Sequence, residues 1–136
     1  MFTVLRLALA VGIIGISGCA SHQAPPCSSG TLSARVHTLY FGTKTPSGVV
    51  DQEAWASFVA SVVRPRFPEG LTVWSASGQW QETSGAISTE ASYVLQVVVP
   101  EANDSESRLI EVIEAYKKTF SQQAVLRVTY GACANL

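Results

Sequence analysis

Few side chains in the 136-residue sequence carry reactive chemistry, and their surroundings restrict what each can do. His37 sits in Ala34–Phe41 (ARVHTLYF) and titrates near neutral pH, so it is a candidate general base. It has no neighbouring cysteine nucleophile and no recognisable Ser-His-acid signature; the expectation is a packed or solvent-facing strand histidine. Glu69, Glu82 and Glu90 are scattered carboxylates, whereas glycosidase chemistry needs two converging on one bond. Gly42 and Gly48 lack the lysine that follows a phosphate-binding loop. Arg64 and Arg66 flank Pro65, with Trp74 and Trp80 in the following segment. Guanidinium forks and indole faces suit a carboxylate or phosphate ligand, and Arg64, Arg66, Trp80 and Glu90 are the candidate ligand or interaction residues. The competing and favoured reading is structural, with the Arg-Pro turn closing a helix and Glu90 forming a salt bridge to it. With no Cys-x-x-Cys pair and only His22 and His37, no metal site is expected, and no cofactor is implied.

The cysteines divide into two groups. Met1–Arg6 carries one positive charge, and Leu7–Ile16 is uninterrupted apolar or glycine. That run is too short for a comfortable membrane span, which needs about 20 apolar residues, and it fits a secretory signal peptide. Its end, Ile16-Ser17-Gly18-Cys19, resembles the lipobox of bacterial lipoproteins. The resemblance implies lipidation of the Cys19 thiol, cleavage before it, and acyl chains that anchor the mature protein, each buried CH₂ adding about 0.8 kcal/mol. Neither Ala20 nor Ser21 is the aspartate linked with inner-membrane retention, so the expected location is the outer membrane, facing the periplasm. Cys27 and Cys133 remain, and disulfides persist in such a compartment. Bonded to each other they close a loop of about 105 residues, for which chain entropy allows up to roughly 4.7 kcal/mol. The alternative is two free thiols.

Composition sets further bounds. Hydrophobic residues make up 47% of the chain and mean hydropathy is +0.23, part of which is the leader. Once the leader and Arg6 are removed, eight basic residues face ten acidic ones. Without a basic patch, nucleic acid is not an expected partner.

The elements that must position these residues follow from periodicity. Residues 1–18 are the expected signal peptide, 19–33 a lipidated flexible tether rich in Pro and Ser, and 34–136 a single α+β domain. Ala34–Phe41 predicts a strand ended by Gly42. Asp51 fits an N-cap, and Trp55, Phe58, Val59 and Val62 share one helical face that Pro65 stops. Leu71–Ser75 predicts a strand that continues through Gln81 after a bulge at Gly78, and Ser84-Gly85 a hairpin turn. Ser92–Val99 predicts the central strand. Asn103-Asp104 offers a cap for a helix of Leu109, Ile113, Tyr116 and Phe120, and Ala124–Tyr130 predicts the last strand. The order β-α-β-β-α-β predicts a ferredoxin-like fold, an antiparallel sheet with two helices on one face and the first and third strands in its middle.

The chain also resembles a family of small bacterial proteins, many of them lipoproteins, catalogued as domain of unknown function 3574. Leu39-Tyr40-Phe41-Gly42, Trp55-x-x-Phe58, Arg64-Pro65-Arg66-Phe67-Pro68-x-Gly70-Leu71-Thr72-Val73, Gly78-Gln79-Trp80, Glu90-x-Ser92-x-Val94 and Tyr116-Lys117-x-x-Phe120 carry the resemblance. It supports the domain boundaries and implies no mechanism. The expectation is therefore a lipid-anchored envelope domain that acts by binding or assembly, its partner a second copy or another envelope protein. The alternative is a small enzyme with a dimer-interface pocket lined by Tyr40, Trp80 and His37.

Overall fold

Alternation of large apolar side chains gives β1 (Leu32–Gly42) two different faces, and everything else is arranged around that difference. A computed structural model describes residues 27–135; the expected signal peptide, the lipobox and Cys19 lie outside the described residues. Two-residue strands β2 (Lys44–Thr45) and β3 (Gly48–Val49) follow as a small hairpin. Helix α1 (Gln52–Phe58) runs on as a π-helical segment, Val59–Val63. Then come β4 (Thr72–Gln81), β5 (Ile87–Pro100), α2 (Glu106–Phe120) and β6 (Leu126–Ala134).

The four long strands form one antiparallel sheet in the order β4-β5-β1-β6, so β1 and β5 take the middle, as the crossover argument requires. The molecule is a mixed α/β domain with an antiparallel four-stranded sheet and two helices. Odd-numbered residues of the strands face the helices. Leu39, Phe41, Leu95, Val97 and Val99 are buried there beneath Trp55, Phe58, Leu109, Val112 and Tyr116. An aromatic cluster closes one end of this core: Phe41 lies 4.6 Å from Tyr116 and 5.1 Å from Trp55, and Trp55 stacks on Tyr93 at 4.8 Å between ring centroids. The Tyr116 hydroxyl donates to the Gly42 carbonyl at 2.9 Å, satisfying its polar end inside the cluster.

Local details depart from expectation for identifiable reasons. Asp51 caps α1, its carboxylate accepting from the Ala54 amide at 2.8 Å. Past Phe58 the helix widens, and Arg64 N–H reaches the Val59 carbonyl at 2.9 Å. A π turn adds a residue, so the buried position there is Val63 while Val62 is only partly covered. Gly78 makes no bulge: β4 pairs with β5 in unbroken register, Gly78 opposite Glu90. The N-cap of α2 is Ser105 rather than Asn103 or Asp104. β1 opens at Leu32, two residues into the stretch expected as tether, because β6 runs on to Ala134 and pairs with it there. Cys27 and Cys133 are joined by a disulfide that fastens the segment before β1 to the end of β6.

Candidate functional site

The face of the sheet away from the helices is the largest unexplained feature of the chemistry on display. Its middle is small and covered: Ala34, Val36, Thr38 and Val94 are all buried, with Gln96 Nε2 donating to Thr38 Oγ1 at 3.2 Å. Around that middle the even-numbered positions of the strands carry large apolar side chains in solvent. Trp74 and Trp80 stand on β4, Val98 on β5, Tyr40 and Leu32 on β1, and Leu126, Val128 and Tyr130 on β6. Their exposures run from 38% at Tyr40 to 62% at Leu126. Strand pairing places them in rows: Trp74 opposite Val94, Tyr40 opposite Leu126, Val36 opposite Tyr130. Together they form an array of exposed apolar side chains larger in number than the singly scattered ones that are ordinary on a monomer's surface.

The residues singled out by sequence fall into two separate places, Arg64 and Arg66 in the helix layer and Glu90 with Trp80 on the β4–β5 hairpin. Arg66 belongs to the helix layer, donating to Glu111 at 2.8 Å and to the Val62 carbonyl at 2.7 Å, where it satisfies an acceptor at the end of the π-helical segment. Arg64 is exposed beside it. Glu90 lies at the other end of β5 and accepts from the Lys44 amide at 2.8 Å, fastening the β1–β2 turn to the hairpin. Its partner is thus Lys44 rather than an arginine. Trp80 stands on the same projecting part of the β4–β5 hairpin, with the Lys44 ammonium 5.6 Å from its ring centre. The Arg64–Arg66 turn is therefore structural at its visible contacts, and Arg108 adds to it by donating to the Arg66 carbonyl and to Glu69.

Sequence reasoning passed over a second constellation. His37 points to the helix side and is 2% exposed. Its Nδ1 lies 2.9 Å from Thr129 Oγ1 on β6, and its Nε2 lies 3.2 Å from Ser105 Oγ at the start of α2. Burial, with the nearby Arg127 and Arg35 charges, holds its pKa below the ordinary 6.5; Glu106 works the other way. The three residues line a polar cleft of about 390 Å³ with Arg35, Glu101, Asn103, Asp104, Glu106 and Arg127. Ser105 and Thr129 are remote from His37 in sequence, which left no local signal. Among the described residues no three metal-ligating side chains gather. No described helix is long and apolar enough to cross a membrane.

Comparison places this domain. Residues 36–136 match the family described as Protein of unknown function (DUF3574). The chain belongs to that family. No curated protein matches it. Solved structures similar in fold include the following two. One is a phage SAM lyase in complex with S-methyl-5'-thioadenosine, with a TM-score of 0.50 and 16% identity, covering 84% of this chain and 96% of the lyase. The other is CutA from Synechococcus elongatus, with a TM-score of 0.51 and 8% identity, covering 77% of this chain and 82% of CutA. At these identities the likeness extends to the fold alone.

Proposed function

We propose that this member of the family is a lipid-anchored envelope protein whose domain works by self-association through the open face of its sheet. The carrying observation is the exposed apolar surface centred on Trp74, Tyr40, Val128 and Tyr130. Its composition also fits, because exposed tryptophan and tyrosine side chains are the residue types that anchor protein interfaces. A second copy meets such a surface with the same surface, as a two-fold dimer requires. The strand order and the two helices on one face support the ferredoxin-like description of the domain. Anchoring rests on the leader and on Cys19, with the domain held at the outer membrane and turned to the periplasm.

The test uses the mature chain with Cys19→Ser, so that no lipid contributes. Size-exclusion with light scattering should give a dimer or a higher closed assembly. Trp74→Glu combined with Tyr130→Glu should give monomers with unchanged circular dichroism. A wild-type chain that stays monomeric at every concentration tested overturns the reading, and crosslinking in cells to a different envelope protein would assign the face to that partner instead.

A further inference from the structure

The helix side of the sheet holds a pair that self-association does not use. We propose that Ser105 is a nucleophile and His37 its general base, in a small acyl-transfer site that opens into the polar cleft. Ser105 occupies the N-cap of a 15-residue helix, where a serine ordinarily turns its oxygen onto the first-turn amides. Here it makes no such bond. Its hydroxyl is directed to His37 Nε2 at 3.2 Å instead, within reach of proton transfer.

The other ring nitrogen completes the arrangement. Nδ1 lies 2.9 Å from Thr129 Oγ1, a hydroxyl that can accept from it; in the tautomer that carries the proton on Nδ1, Nε2 is the acceptor facing Ser105, as a base needs. The serine leaves the first-turn amides of α2 without a side-chain cap. All three side chains line the 390 Å³ cleft, which lies on the face opposite the apolar surface, so assembly leaves it open.

The cleft also indicates the substrate. Its charged groups largely neutralise one another: Arg35 pairs with Glu101 at 3.3 Å and Arg127 with Glu106 at 2.9 Å, leaving Asp104 at the rim. A small, polar, neutral ester fits such walls; a long acyl chain does not. The third member is a hydroxyl, so an imidazolium gains less support than a carboxylate gives it. That limits the site to esters with a good leaving group. In the step, Ser105 Oγ forms a bond to the carbonyl carbon while its proton passes to His37 Nε2. The ester C–O bond then breaks, and the proton goes to the departing alkoxide. Water, activated by the same imidazole, attacks the acyl-serine and releases the carboxylic acid.

The experiment treats the mature Cys19→Ser chain with a fluorophosphonate and, separately, with p-nitrophenyl acetate. In the first, the Ser105 oxygen displaces fluoride from phosphorus, and peptide mass spectrometry should find the adduct on Ser105. Ester turnover should fall by at least about 100-fold in Ser105→Ala and in His37→Gln, the contribution expected of a positioned base. If His37→Gln does not fold, wild-type labelling at two pH values stands in for it and should decline as His37 protonates. An adduct confined to another residue, or no adduct on folded protein, overturns the proposal; so does undiminished turnover in Ser105→Ala. None of these outcomes bears on the oligomeric state.

Discussion

His37 and Trp80 project from opposite faces of the same sheet. His37 pairs with Val97 and Trp80 with Ser88 along the unbroken ladders of β5, so one is odd in the pleat and the other even. A pocket joining them cannot form within one copy. The arrangement separates two jobs that a single dimer-interface pocket would have merged: an apolar face suited to contact, and a polar cleft behind it.

The burial of His37 makes stability depend on pH in one direction. Its folded-state pKa is held below 6.5, chiefly by desolvation, so the unfolded chain binds the proton more readily. The contribution is complete above pH 6.5 and is lost as pH falls through that value toward the lowered one. Thermal melts of the wild type should therefore show a drop between neutral and mildly acid pH. His37→Gln should show a smaller drop, and an unchanged pH slope in that variant would count against this account.

Tyr116 is the matching case at high pH. Burial, with the Tyr93 and Glu90 charges adding to it, pushes its phenol well above the ordinary 10.0. The folded state keeps the proton, so its contribution is present below pH 10 and is lost as pH rises past it. Tyr116→Phe should flatten alkaline unfolding. At neutral pH it should cost about 1–3 kcal/mol, because the Gly42 carbonyl loses a buried donor. Chemical denaturation at pH 7 and pH 10.5 separates the two effects.

Gly42 tests the Glu90 clamp. A Cβ there would lie 3.0 Å from Glu90 Oε1 and 3.4 Å from its carboxyl carbon. Gly42→Ala should push the carboxylate off the Lys44 amide and loosen the β2–β3 hairpin, for about 1 kcal/mol. Glu90→Gln, which keeps an acceptor, should cost less. Hydrogen exchange at the Lys44 amide reports the difference directly, with faster exchange expected in Gly42→Ala.

What the sequence disclosed and withheld follows from the range of each signal. Trp55, Phe58, Tyr116 and the Ser92–Val99 run announce their elements because burial periodicity is local, and the order of those elements then limits the sheet to few topologies. The alternation Tyr40, Trp74, Val128, Tyr130 is also present in the sequence, but its meaning requires knowing which face the helices cover. The widened turn after Phe58 has no local marker, since Val62 and Val63 are equally apolar. The Ser105–His37–Thr129 contacts span 68 and 92 residues, and nothing in the neighbourhood of any one of them points to the others.

The disulfide carries the largest predicted effect. β6 is an edge strand that pairs along its whole length, Leu126–Ala134, with Leu32–Tyr40 of β1, and most of its side chains stand in solvent. With few side chains buried, it is held by that ladder and by the bond between Cys27 and Cys133, which closes a span of 106 residues. Chain entropy sets the loss on Cys27→Ser or Cys133→Ser at up to roughly 4.7 kcal/mol. Because β6 carries Leu126, Val128 and Tyr130, fraying there removes one side of the apolar face as well. Reduction should therefore lower the melting temperature and weaken assembly together, whereas Trp74→Glu should weaken assembly alone. Melting curves and light scattering on the same samples, with and without reductant, give both readings. A reduced protein that melts like the oxidised one would show that β6 is held by its ladder to β1 alone.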